Sequence, residues 1–189
     1  MPFPFYKQLD TMDCGPSCVR MIAKHYGKNY TLQTLRDKSH ITREGVSMLG
    51  ISDAAEAIGF RSMGVRITFE QLVKEVPFPC IAHWKQNHFV VVYKIKQTKK
   101  GVFVHVADPA RGLIKFTKEE FISGWANTKE DGEEKGLCLL LEPSPDFYAQ
   151  EDEKPDKSGF KFLFSYLKPY RKFITQLILG LLIGSVLQL

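Results

Sequence analysis

Gln8, Cys14, a scatter of histidines and Asp108 are the residue types from which thiol chemistry is built. Cys14 lies between Asp13 and a Gly-Pro pair, six positions after Gln8, in the stretch QLDTMDCGPSC. A thiol attacks a carbonyl as the thiolate, so a site that uses one must favour that form. A helix N-terminus and a neighbouring histidine both do so. Cys14 sits where a first helix should begin, with Pro16 in its first turn, so its sulfur can face unpaired backbone N–H groups. Gly15 is expected to leave room for a substrate backbone. Cys18, one turn later on the apolar face, fits a core position instead.

A base for that thiol should be a histidine on a rigid element. Of His25, His40, His83, His88 and His105, His25 falls on the buried side of the first helix and His40 in a loop. The other three lie in or beside strands. His88 opens HFVVVY directly after a turn, at a strand end where a site can open; it is the first candidate and His83 the second. Asp108 closes the strand VFVHVADP and can accept the imidazole N–H, although Asp before Pro is also common turn chemistry. Gln8 can point a side-chain amide at an oxyanion.

These residues need a scaffold. Asp13 is expected to cap a first helix that Gly27 ends, with Cys18, Met21, Ile22 and His25 along one face. Thr31 opens a second helix, and Ser47 a third over MLGISDAAEAIGF. Thr68 with Gln71, and Thr117 with Glu120, form capping-box patterns for two more, the latter reaching Trp125. Strands are expected over 60–66, 79–84, 88–95, 102–107, 113–116 and 136–142, with hairpin turns at KQN and QTKKG. Helices first and antiparallel strands after give an α+β domain over residues 1–145.

Composition excludes several classes. The 189 residues are 44% hydrophobic and 25% charged, with a net charge of +5, and no basic stripe interleaved with aromatics suggests nucleic-acid binding. The cysteines Cys14, Cys18, Cys80 and Cys138 lack zinc-ligand spacing, so no metal is expected. No apolar signal segment precedes Asp13, which puts the thiols in a reducing, cytoplasmic setting. The last quarter differs. PSPDFYAQEDEKPDKSG, residues 143–159, reads as solvated, and residues 146–159 as a polar linker. Residues 160–172 mix aromatics with Lys161, Lys168, Arg171 and Lys172, as at a membrane interface. Residues 173–189 carry no charge and span roughly 25 Å as a helix, close to the hydrocarbon core. They read as the start of a transmembrane helix whose N-terminal side the basic cluster holds in the cytoplasm.

Gln8, Asp13, Cys14, Gly15 and Pro16, followed by NHFVV and DPARG in that order, resemble the bacteriocin-processing peptidase domain at the N-terminus of peptidase-containing ABC transporters. The resemblance covers roughly residues 5–143. Ser17 and Val19 depart conservatively from an alanine and a leucine common in that motif. The resemblance implies a papain-like fold, with Cys14 as nucleophile, His88 as base, Asp108 as its orienter and Gln8 as oxyanion donor. It implies cleavage of a leader peptide after a double-glycine-type motif, coupled to export of a bacteriocin or other small secreted peptide. No cofactor is implied for the peptidase; ATP and magnesium belong to a nucleotide-binding domain. The implied partners are the leader, the transmembrane and nucleotide-binding domains of the same transporter, membrane lipid along 160–189, and a second copy in a homodimer. The implied location is the bacterial cell membrane, with the peptidase on the cytoplasmic side. The alternative is a domain that grips leaders without cutting. It would be expected to lack the cysteine or the histidine, and both are present.

Overall fold

The computed structural model describes residues 2–42, 45–99, 101–130 and 132–153, and beyond these 172, 173, 175, 176, 180, 184 and 185. The chain divides into two compact units, Met1–Lys154 and Pro155–Leu189. In the first, a 3-10 turn, Thr11–Asp13, leads into α1, Cys14–His25, followed by α2, Leu32–Lys38, and α3, Met48–Glu56. Then come β1, Phe60–Thr68; α4, Phe69–Glu75; β2, Cys80–Trp84; β3, His88–Thr98; β4, Gly101–Asp108; and β5, Gly112–Thr117. The unit closes with α5, Lys118–Trp125; β6, Ala126–Glu130; β7, Glu133–Pro143; and α6, Pro145–Ala149.

All pairings are antiparallel. The sheet runs β1-β7-β2-β3-β4-β5, and β6 also pairs with β7. Because β1 covers β7 along one whole edge, β2 and β6 share the other at different heights. The centre of the sheet is buried on both faces. Ile81, Phe89, Val91, Leu139 and Leu141 pack with Cys18, Met21 and Ile22 of α1. Their strand neighbours Cys80, Ala82, Val90, Val92 and Cys138 pack with Leu72 of α4 and Phe121 and Trp125 of α5. Two-sided burial explains why Phe89–Val92 is an unbroken apolar run rather than an alternating one.

The helix starts follow local chemistry. Thr31, Ser47, Thr68 and Thr117 each accept a backbone N–H of their helix's first turn, closing donors that the helix cannot satisfy itself. Asp13 is an exception. It precedes α1 but does not cap it. Its carboxylate, fully buried, accepts instead from the Asp10 N–H at 3.0 Å and from Arg36 Nε at 2.6 Å, which ties the turn before α1 to α2.

The domain ends later than residue 145. Residues 146–153, expected as solvated linker, are docked on it. Phe147 of α6 is fully buried, with its ring 4.4 Å from that of Phe60. Asp152 accepts from the Asn29 side chain at 3.0 Å, and Glu153 from Thr31 N at 2.8 Å and Thr34 Oγ1 at 2.9 Å. Gly59, in left-handed backbone at φ +91°, sits so close to Phe147 that an added Cβ would lie 2.5 Å from its nitrogen. Phe147→Ala is therefore expected to lower unfolding free energy by about 3–5 kcal/mol, read as a fall in urea midpoint without a change in slope.

The remaining linker positions, the interfacial segment 160–172 and the membrane segment 173–189 fall outside the described residues, apart from the seven named positions, which are helical. Among the described residues no helix is long and apolar enough to cross a membrane.

Candidate active site

The site forms where the start of α1 meets the ends of β3 and β4. In the β3–β4 register Val91 faces Ala107. One step on, the strand ends bring His88 and Asp108 diagonally opposite each other, within reach of long side chains. His88 Nε2 donates to Asp108 Oδ1 at 2.8 Å. The same oxygen accepts the Ala110 N–H at 2.9 Å, so the carboxylate is fixed by its own turn. Arg111 Nε stands 3.9 Å from the other oxygen. With Nε2 committed to Asp108, Nδ1 is the ring nitrogen left to exchange a proton with a thiol.

Two opposed effects act on His88. Burial disfavours the imidazolium, but the hydrogen bond to Asp108, the interaction with the Cys14 thiol and the charges of both more than offset it, raising the pKa to about 9. Burial likewise disfavours the Asp108 carboxylate. The His88 hydrogen bond, the Ala110 N–H and the charges of His88 and Arg111 overcome it and hold the pKa below its ordinary value. The pair is thus an imidazolium and a carboxylate at neutral pH. The Cys14 thiol is the other partner of the ring, and its hydrogen-bonding and charge interactions both favour the imidazolium.

Cys14 is the first residue of α1 and is 5% exposed. It lines a cavity of about 430 Å³ with Met12, Val46, Met48, His83 and Phe89. A second cavity of about 330 Å³ is lined by Gln8, Trp84, His88, Asp108 and Arg111, and Thr11 and Asn87 line both. Gln8 is held by its backbone, whose N–H donates to Pro109 O at 3.0 Å. The N-terminal segment is thereby pinned to the strand end that carries Asp108. Gln8 Oε1 is buried and accepts no hydrogen bond among the described residues.

The other candidates fall elsewhere. Cys18 is fully buried and its Sγ donates to Phe89 O at 3.4 Å. His83 borders the Cys14 cavity, its ring centroid 5.0 Å from that of Phe89, and burial lowers its pKa. His25 is exposed rather than on the buried face of α1, with Phe3 and Tyr26 against its ring. His25 and His105 line a separate cavity. Gly15 does not face substrate: a Cβ there would lie 2.6 Å from side-chain atoms of Ile51 and Val46, so the glycine lets α1 approach α3. Three contributors escaped the sequence reading: Pro109 as the anchor of Gln8, Arg36 as the partner of Asp13, and Arg111 beside Asp108. Arg111 lies inside DPARG, the one signal that pointed to it. Among the described residues no cluster of His, Cys, Asp or Glu could hold a metal ion.

Solved structures share this arrangement of elements. A double glycine motif protease from an AMS/PCAT transporter, crystallised in complex with the leader peptide, superposes with a TM-score of 0.63 at 33% identity over 75% of this chain and 91% of its own. The peptidase domain of Streptococcus ComA, a bifunctional ABC transporter of a quorum-sensing pathway, gives 0.62 at 29% identity over 76% of this chain and 100% of its own. The lactococcin-G-processing and transport ATP-binding protein LagD of Lactococcus lactis is 40% identical over 147 residues, 74% of this chain. The colicin V secretion/processing ATP-binding protein CvaB of Escherichia coli is 35% identical over 117 residues, 62% of this chain. The chain spans only 19% and 16% of those two relatives. The family model that matches residues 2–129 takes in the cysteine, the histidine and the aspartate just described, and the chain belongs to the peptidase C39 family.

Proposed function

We propose that this chain is a cysteine endopeptidase of papain-like fold that cuts a precursor peptide after a double-glycine-type motif. The observation that carries the reading is the Nε2–Oδ1 bond of 2.8 Å between His88 and Asp108, beside a cysteine at a helix start. Cys14 Sγ attacks the carbonyl carbon of the second glycine. Negative charge passes to the carbonyl oxygen, where the Gln8 amide donates to it. Collapse breaks the C–N bond as His88 gives its proton to the leaving amine, and a thioester remains. Water then attacks the thioester with His88 as base, releasing the leader carboxylate and the thiol.

The cavities support the preference for glycine. Thr11 and Asn87 line both cavities, so a chain passing from one to the other runs beside them, and residues without side chains meet least obstruction there. In an exporter of the kind the relatives' names describe, the same polypeptide would carry transmembrane and nucleotide-binding domains. ATP and magnesium would be held by the latter. Two copies would work together in the bacterial cell membrane, with lipid along 160–189 and the peptidase facing the cytoplasm.

Incubation with a synthetic leader ending in Gly-Gly, followed by mass spectrometry, is expected to give one cut after the second glycine. Gln8→Ala should lower kcat by about 10²–10³ with little change in leader affinity, because its amide acts on charge that exists only in the transition state. Random cutting, or an unchanged kcat in the variant, would count against the reading.

A further inference from the structure

We propose that the cavity of Gln8, Trp84, Lys85, His88 and Arg111 receives the first residues of the cargo and favours acidic side chains there. The proposal rests on the peptidase reading above and adds a substrate preference to it. Chemistry sets the direction of the bound chain. The imidazole must protonate the leaving nitrogen, so the segment released as amine lies on the His88 side of the sulfur. The acyl segment, which ends the leader, lies on the other. His88 and Asp108 line one cavity and Cys14 the other, so the two cavities divide the substrate at the scissile bond.

Their charges differ. The Cys14 cavity is lined by no Asp, Glu, Lys or Arg among the described residues. The cargo-side cavity carries Lys85 and Arg111. The carboxylate that also lines it, Asp108, is already committed to His88 and to the Ala110 N–H. Arg111 is 65% exposed and 3.9 Å from Asp108, which leaves most of its guanidinium to solvent or substrate. Lys85 is exposed and held at φ +48°, with its N–H donating to Gly124 O at 2.8 Å. That fixed turn presents its side chain at the rim. Two cations at the rim of the cargo-side cavity attract carboxylates and repel ammonium groups, within the range of exposed ion pairs.

The test uses the full chain and three synthetic substrates with one leader ending in Gly-Gly, continued by Asp-Asp, Ser-Ser or Lys-Lys. In low salt kcat/KM is expected to fall in that order, with about a tenfold span from Asp to Lys, and the span should narrow at ~0.5 M NaCl. The double variant Lys85→Asn, Arg111→Gln should flatten the series; asparagine suits the left-handed backbone at residue 85. The readout is the ratio between substrates, so a uniform change in rate through Asp108 does not disturb it. Equal kcat/KM for all three with the unmodified chain overturns the subsite while leaving the peptidase intact. A span that survives in the double variant overturns the assignment to these two residues. If none of the three is cut, the peptidase reading fails and the subsite with it.

Discussion

Cys14→Ala is expected to abolish leader cleavage, a loss on the order of 10⁵-fold or more in kcat, while Cys18→Ala leaves a domain that still cuts. The two cysteines are one helical turn apart, and their surroundings separate them. Cys14 borders a cavity and interacts with the His88 ring. Cys18 is sealed between α1 and β3, and its sulfur donates to Phe89 O. Burial, and then the charges of Cys14 and Asp108, push the Cys18 thiol pKa well above its ordinary value, so it supplies no thiolate. Its replacement removes one buried sulfur and a weak hydrogen bond, at about 1–2 kcal/mol of stability. Alkylation with iodoacetamide gives an independent readout. Label should enter Cys14 alone in the folded protein, because Cys18, Cys80 and Cys138 are all fully buried. An active Cys14→Ala protein, or a dead but folded Cys18→Ala protein, reverses the assignment.

What the sequence disclosed follows from where the information is local. Cap residues, apolar stripes and strand ends are short-range signals, and the helices from Thr31, Ser47, Thr68 and Thr117 start where those residues stand. The placing of Cys14 at a helix start and of His88 and Asp108 at strand ends came from the same kind of signal, and the register of β3 and β4 brings the last two together. What was hidden depends on partners far along the chain. The stretch ANTKE has no apolar alternation and becomes β6 because β7 offers it a free edge. Phe147 sits among Pro, Asp, Glu and Gln, a composition that reads as linker, and is buried because Phe60 and Gly59 leave it a site. Asp13 looked like a cap, which is what a local reading of an acidic residue before a helix must give. Only the fold supplies Arg36 to claim the carboxylate. The histidine choice was equally non-local: pattern left His88 and His83 both open, and the structure sets Asp108 against His88 alone.

Asp108→Ala is expected to cost about 10²–10³ in kcat at neutral pH, and Asp108→Asn much less. The carboxylate does three things at once. Its Oδ1 accepts from His88 Nε2, the same oxygen holds the Ala110 N–H, and its charge favours the imidazolium. Asparagine keeps an oxygen at the first two tasks and places an amide near Arg111, where no bond is broken. Alanine frees the ring to rotate and leaves the turn amide unpaired. The pH profile separates these effects. In the unmodified chain the His88 pKa is about 9, above its ordinary 6.5. The stability and the charged pair that come from this protonation are fully present below about 6.5 and are lost as pH rises through 9. The alkaline limb of kcat/KM should therefore lie near pH 9. Asp108 has the opposite sign: its pKa is below the ordinary 3.8, so its contribution is present above that value and is lost as pH falls through the lowered pKa. In Asp108→Ala burial is opposed by the Cys14 interaction alone, and the alkaline limb should move below 9; Asp108→Asn should fall between. If Asp108 served only the turn before Pro109, alanine would lower stability by the loss of the Ala110 bond, yet kcat per folded molecule and the alkaline limb would stay where they were. A limb fixed near pH 9 in both variants removes Asp108 from the proton chemistry and leaves it as a turn residue.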